Sequence, residues 1–135
     1  MGDDGIFLID DQYAPLTPKI RAALESLPEG KGKPVRFVLN THFHGDHTGG
    51  NENLGKAGAV IVAHDNVRAR MTTEQFREDF LASGGSNIDD ALPVVTFNDR
   101  VTFHLNGYTL ETRHYPHAHT DGDSVVWFRE SNVLH

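Results

Sequence analysis

The chain has 135 residues, 38% of them apolar, and a formal net charge of −7, which suits one domain with a sizeable core and excludes wholesale disorder. The acidic balance, with no cluster of Lys and Arg, argues against a nucleic-acid partner, because phosphate binding is driven by clustered cations. There is no cysteine, so any metal ligand must be nitrogen or oxygen; no run reaches the roughly 18 apolar residues of a membrane span, and Met1-Gly2-Asp3-Asp4 has no targeting character. The chain as given reads as soluble, without a membrane partner, and its compartment is unreadable.

Ile6 to Ile9 is a continuous apolar run that reads as a strand buried on both faces, ended by Asp10 and Asp11. Thr17 is expected to cap a helix with Pro18 at its first position, and Ile20, Ala23, Leu24 and Leu27 supply an i, i+3, i+4, i+7 stripe. After a turn from Gly30 to Pro34, Val35 to Leu39 is a β-branched and aromatic strand; the strand, helix, strand order predicts a right-handed crossover and a parallel pair. A short helix over Asn51 to Lys56 and a buried strand from Ala59 to Ala63 repeat that order. Asp65 is expected to cap a helix carrying Val67 and Met71, and Thr72 with Gln75 to form a capping box for a second helix with Phe76, Phe80 and Leu81 inward. Beyond a flexible Ser83 to Ser86 the pattern changes to short alternating strands, Val94 to Phe97, Val101 to Leu105 and Tyr108 to Thr112, then Val125 to Phe128 and Val133-Leu134. Asn106-Gly107 is a two-residue hairpin turn that sets Leu105 against Tyr108 and Phe103 against Leu110, with His104 on the other face. The class is α/β, in a single domain over residues 1–135. Its abrupt opening strand and apolar end lead us to expect a fragment.

The stretch from Thr41 to Asn51, Thr-His-Phe-His-Gly-Asp-His-Thr-Gly-Gly-Asn, places three histidines and an aspartate within six positions at the end of a strand. His42, His44, Asp46 and His47 are the donor set that zinc and similar divalent ions prefer, and the surrounding glycines allow the turns that would aim them at one point. A second dense loop, His114-Tyr-Pro-His-Ala-His-Thr-Asp-Gly-Asp-Ser124, follows more than 60 residues later, again after a strand. Two such loops in one small domain are expected to converge.

With both loops in view the sequence resembles the metallo-β-lactamase-fold hydrolase superfamily, which has His-x-His-x-Asp-His after a strand and a histidine before threonine in a downstream loop. The resemblance implies that His42, His44 and His119 hold a first metal and Asp46 and His47 a second, His119 being taken over His117 because it directly precedes Thr120. It implies about one half to two thirds of an αββα sandwich, truncated before the acidic bridging ligand and the last histidine, and lacking the opening strands. The implied function is a zinc-dependent hydrolase acting on a small molecule of unknown type. Zinc on three histidines lowers the pKa of a bound water to about 7, giving hydroxide at neutral pH. Asp46 is the catalytic residue, orienting the nucleophile and taking its proton. One firmly held zinc per chain is expected, with low or no turnover. The alternative is a non-catalytic metal-binding module that self-assembles. A half sandwich would expose its inner sheet face, which a second copy could cover, so a homo-oligomer is expected.

The remaining histidines and acids have plainer readings. His64 and His114 read as strand-end structural residues, His104 as solvated, His117 as a spare or alternative ligand, and His135 at most as support for the site. Asp121 and Asp123 are expected to fix the second loop through backbone or ligand hydrogen bonds, and Trp127 to lie in the core.

Overall fold

The period-2 pattern of the apolar runs stacks the chain into two sheets. A computed structural model describes residues 1–135. Strands β1 (Ile6–Ile9), β2 (Val35–Leu39), β3 (Val60–His64) and β4 (Val95–Phe97) form a parallel sheet in chain order. β5 (Arg100–Leu105), β6 (Tyr108–His114), β7 (Ser124–Phe128) and β8 (Val133–Leu134) form an antiparallel meander. Between them run α1 (Thr17–Ser26), the one-turn α2 (Gly45–Thr48), α3 (Asn51–Lys56), α4 (Asp65–Met71) and α5 (Glu74–Ala82).

Alternate residues of the parallel strands serve two cores. Leu39, Val62 and Phe97 point between the sheets and meet Leu110 and Val126 of the meander, with the rings of Phe7, Phe37 and Phe103 packed at centroid distances of 4.7 to 6.3 Å. Burying each large apolar side chain contributes about 1.5–3 kcal/mol, which makes this seam the main stabilising layer. On the opposite face Val38 and Ile61 pack with Leu54 and Ala59, and Ala63 packs with Val67, Met71 and Leu92. The layers are helices, parallel sheet, antiparallel sheet. The inner sheet face expected to lie exposed is covered by the chain's own meander. Trp127, expected in the core, is only half-buried on the outer face of the meander beside Val125 and Glu111.

The hairpin register is as the turn dictates, with Leu105 opposite Tyr108 and Phe103 opposite Leu110. Asn106 and Gly107 both take the left-handed conformation, at φ 54° and 77°, that a type I′ turn demands. His104 is exposed opposite Thr109. β4 joins the parallel sheet rather than the strands that follow it, because Val95 to Phe97 pair with Val62 to His64.

Several helix starts differ from expectation. Thr17 lies inside α1, after a 3₁₀ turn over Ala14–Leu16, and its buried hydroxyl accepts from Asn53 Nδ2 at 3.3 Å instead of capping; Ala23 and Leu27 of the anticipated stripe are exposed. His64, not Asp65, caps α4 by accepting from the Asn66 N–H through Nδ1. Thr73, not Thr72, caps α5, and Gln75 bonds Asp79 instead of closing a capping box. Phe76 and Phe80 are half-buried and Leu81 is exposed. The segment after α5 is tied at its end, where the buried Glu52 carboxylate accepts from the backbone N–H groups of Ser86 and Asn87, each at 3.0 Å.

Candidate metal centre

Parallel strands deliver their carboxyl ends to one edge, and here β1, β2 and β3 deliver Asp10-Asp11, Asn40 to His42 and His64. The loop from β6 to β7 returns to the same edge, where Ser124 N–H donates to the Thr41 carbonyl at 2.9 Å. The two histidine loops meet for that reason.

The first loop is held from below. Asn40 and Asn51, both fully buried, exchange amide hydrogen bonds at 2.9 and 3.1 Å, and Asn40 also donates to the His47 carbonyl at 3.0 Å. α2 then turns tightly enough for the His47 N–H to donate to the His44 carbonyl at 2.9 Å. Gly50 permits the close approach of β1: its N–H donates to Asp11 Oδ1 at 2.8 Å, and a Cβ there would stand 2.8 Å from the Asp11 carbonyl oxygen.

His42, His44 and His119 come together. Their ring centroids form a near-equilateral triangle of 4.9, 4.9 and 5.0 Å, and one nitrogen from each lies within 4.8 Å of the others, His119 Nε2 being 3.1 Å from His44 Nδ1. A tetrahedral zinc with Zn–N of about 2.0–2.1 Å needs nitrogens about 3.4 Å apart, so the spacing requires only small ring movements. Burial, followed by the neighbouring His47 and His44, lowers the His42 pKa and keeps its lone pair free. The donor set fits a divalent ion of borderline softness.

Asp46 and His47 stand beside this triangle and engage each other. His47 Nε2 is 3.3 Å from Asp46 Oδ2, and its ring centroid is 4.0 Å from that of His42. His47 Nδ1–H donates to Asp10 Oδ2 at 2.8 Å, and the same carboxylate accepts from Thr41 N–H at 2.7 Å and Thr41 Oγ1 at 2.8 Å. Asp10 is the residue that sequence reasoning missed. Its signal was position: an acid at the carboxyl end of the strand paired with β2.

The second loop is fixed by both its acids. Asp123 accepts from Thr120 N–H at 2.8 Å and Thr120 Oγ1 at 2.5 Å; burial works against its charge, but these bonds and one from the His119 backbone outweigh it and hold its pKa low. Asp121 instead pairs with Arg70 of α4 at 2.8 Å, while its carbonyl accepts from Asn66. His114 stacks on His64 at 3.6 Å and its Nδ1–H donates to the Asp123 carbonyl. His117, at φ 60°, is exposed and outside the triangle, as is His135 at the end of the chain.

Comparison with known proteins shows the family and the fold. The model of the metallo-beta-lactamase superfamily matches residues 2–135. The hydroxyacylglutathione hydrolase of Methylococcus capsulatus is 29% identical over 98% of the chain and 46% of that protein, and the one from Rhodospirillum rubrum is 28% identical over 99% and 46%. The chain spans just under half the length of these curated relatives. A metallo-beta-lactamase from Pontibacter korlensis superposes with a TM-score of 0.79 at 22% identity, covering 99% of this chain and 55% of that one.

Proposed function

The chain belongs to the metallo-beta-lactamase superfamily, and from that membership we propose that it is a zinc-dependent hydrolase of a small-molecule substrate, with His42, His44 and His119 holding one ion firmly. The observation that carries this reading is the convergence of the three imidazole nitrogens within 4.8 Å of one another, from two loops far apart in the chain. His42, His44 and His119 would hold a zinc ion that would supply Lewis acidity, enough to lower the pKa of a water ligand to about 7.

The chain's own residues do the rest. Asp10 accepts the hydrogen bond of the His47 Nδ1–H and so fixes the ring with Nε2 turned to the Asp46 side of the site, the nitrogen that could ligate an ion. Asp46, with its side chain half exposed at the mouth of the site, is placed to accept a proton at Oδ2 from the attacking water and return it to the leaving group. Asp46 and His47 together offer two ligands for a weaker second ion. The names of the curated relatives make a hydroxyacylglutathione thioester the first substrate to assay.

Native mass spectrometry should find one zinc per chain, lost in His42→Ala and in His119→Ala. Thioester hydrolysis should disappear with chelator and in His42→Ala. Zinc retained in both variants would overturn the ligand set. Zinc binding without turnover on thioester, ester, lactam or phosphodiester substrates would favour a metal-binding module over a hydrolase.

A further inference from the structure

The metal loop has a second face. His44 and Gly45 also form one wall of a cavity of about 300 Å³, whose other walls come from the β1–α1 connection and from α5. Tyr13, Phe43, Phe76 and Phe80 line it, with Met71 at its base. The core does not fill this space: Tyr13 is 55% exposed, and no residue of α5 is fully buried although the helix presents two phenylalanines here. Aromatic side chains around a concavity that shares a wall with a reactive centre are the usual build of a ligand pocket. An engineered cavity of about 150 Å³ holds benzene, so this one suits a group roughly twice that size.

Charge narrows the occupant. The lining holds two carboxylates, Glu52 and Asp79, and no Lys or Arg. Glu52 is committed to Lys56, Ser86 and Asn87, whereas Asp79 meets only the amide of Gln75. An anionic group would enter against an uncompensated carboxylate, at a cost a neutral group does not meet. We propose that this cavity receives a neutral aromatic or branched-alkyl group of the substrate, setting selectivity beside His44; the proposal rests on the hydrolase reading above.

The test uses zinc-supplemented protein and two probes of similar size, neutral N-benzylacetamide and anionic phenylmethanesulfonate, a poor metal ligand. Binding is read from the amide resonances of Gly45, Gly49 and Gly85, all in the cavity wall. N-benzylacetamide should shift these three saturably and bind at least about tenfold more tightly than the sulfonate. Ser83→Trp, at the exposed end of α5, should weaken it by about fivefold or more with circular dichroism unchanged. Asp79→Lys should shrink the neutral preference to about threefold or less, a second arm should the tryptophan disturb the fold. Equal affinity for the two probes, shifts confined to other amides, or indifference to both substitutions would overturn the proposal. Hydrolysis of thioester, ester, lactam and phosphodiester substrates is measured in parallel: probe binding without turnover of any of them sinks the hydrolase reading, and turnover without probe binding sinks this one.

Discussion

Asp11→Asn should make the protein's stability markedly less sensitive to alkaline pH. Asp11 is 1% exposed, and its Oδ2 has no hydrogen-bond partner. Burial pushes its pKa from 3.8 up to about 8, with the Gly50 N–H opposing and the Asp10 charge adding to the rise. A carboxyl raised in the folded state stabilises fully below its unfolded pKa and loses that contribution as pH climbs to its folded value, because the unfolded chain ionises and the folded one does not. Each pH unit in that window is worth ~1.4 kcal/mol, so between pH 5 and 8 the loss is on the order of 4 kcal/mol, a large share of a domain's stability. Asparagine keeps the oxygen that accepts from Gly50 and cannot ionise. Urea unfolding followed by Trp127 fluorescence at pH 5, 6, 7 and 8 reads the difference directly. The variant should gain on the parent by ~4 kcal/mol across the series. Parallel profiles, or a variant that loses ground as pH rises, would refute the reasoning.

Asp10→Ala removes the acceptor that holds the Thr41 hydroxyl, which in turn meets His42 Nδ1 at 3.1 Å, and should weaken zinc binding by about 10–100-fold in a competition with a chromophoric chelator. Zinc at about 100 times its dissociation constant should stabilise the parent by ~2.7 kcal/mol in thermal melts and leave His42→Ala unshifted. For Glu52, burial raises the pKa but hydrogen bonds from Lys56, Ser86 and Asn87 outweigh it, holding the group at about 2. Its stabilisation is therefore present above the unfolded value of 4.5 and lost as pH falls towards 2, so Glu52→Gln should cost about 1.5–3 kcal/mol at neutral pH and flatten the acid limb of unfolding. Asn51→Ala strands the Asn40 amide and the Ala91 carbonyl in a dry interior and should cost roughly 2–4 kcal/mol by urea titration.

The strands were legible because their signal is local. Val35 to Leu39 announces a strand by composition, and Asn106-Gly107 fixes a register residue by residue because only a type I′ turn accepts those backbone angles. Helix starts were less so. Thr17, Asp65 and Thr72 are all good capping residues, and each sits one position from the N-cap its helix uses; the tertiary packing of Thr17 against Asn53 and the reach of His64 to Asn66 decided the first two. Sheet membership of β4 lay beyond the sequence, since Val95 to Phe97 would serve either sheet and only the pairing with Val62 to His64 decides.

For the site, the sequence carried donors but not partners. His42, His44 and His119 are legible from their spacing and their resemblance to a known pattern, yet what makes them converge is that β2 ends beside β1 and that the β6–β7 loop hydrogen-bonds back to Thr41. Asp10 acquires its role only through that adjacency. The same holds for selectivity. The loop from Thr41 to Asn51 turns one face to the imidazole triangle and another, through Phe43 and Gly45, to the aromatic cavity. The reacting groups and the selecting surface thus share a backbone but few side chains. Phe76 and Phe80 of α5 could change without moving a ligand, so one metal loop can serve different substrates, and the substrate of this chain is to be sought in α5 rather than in its histidines.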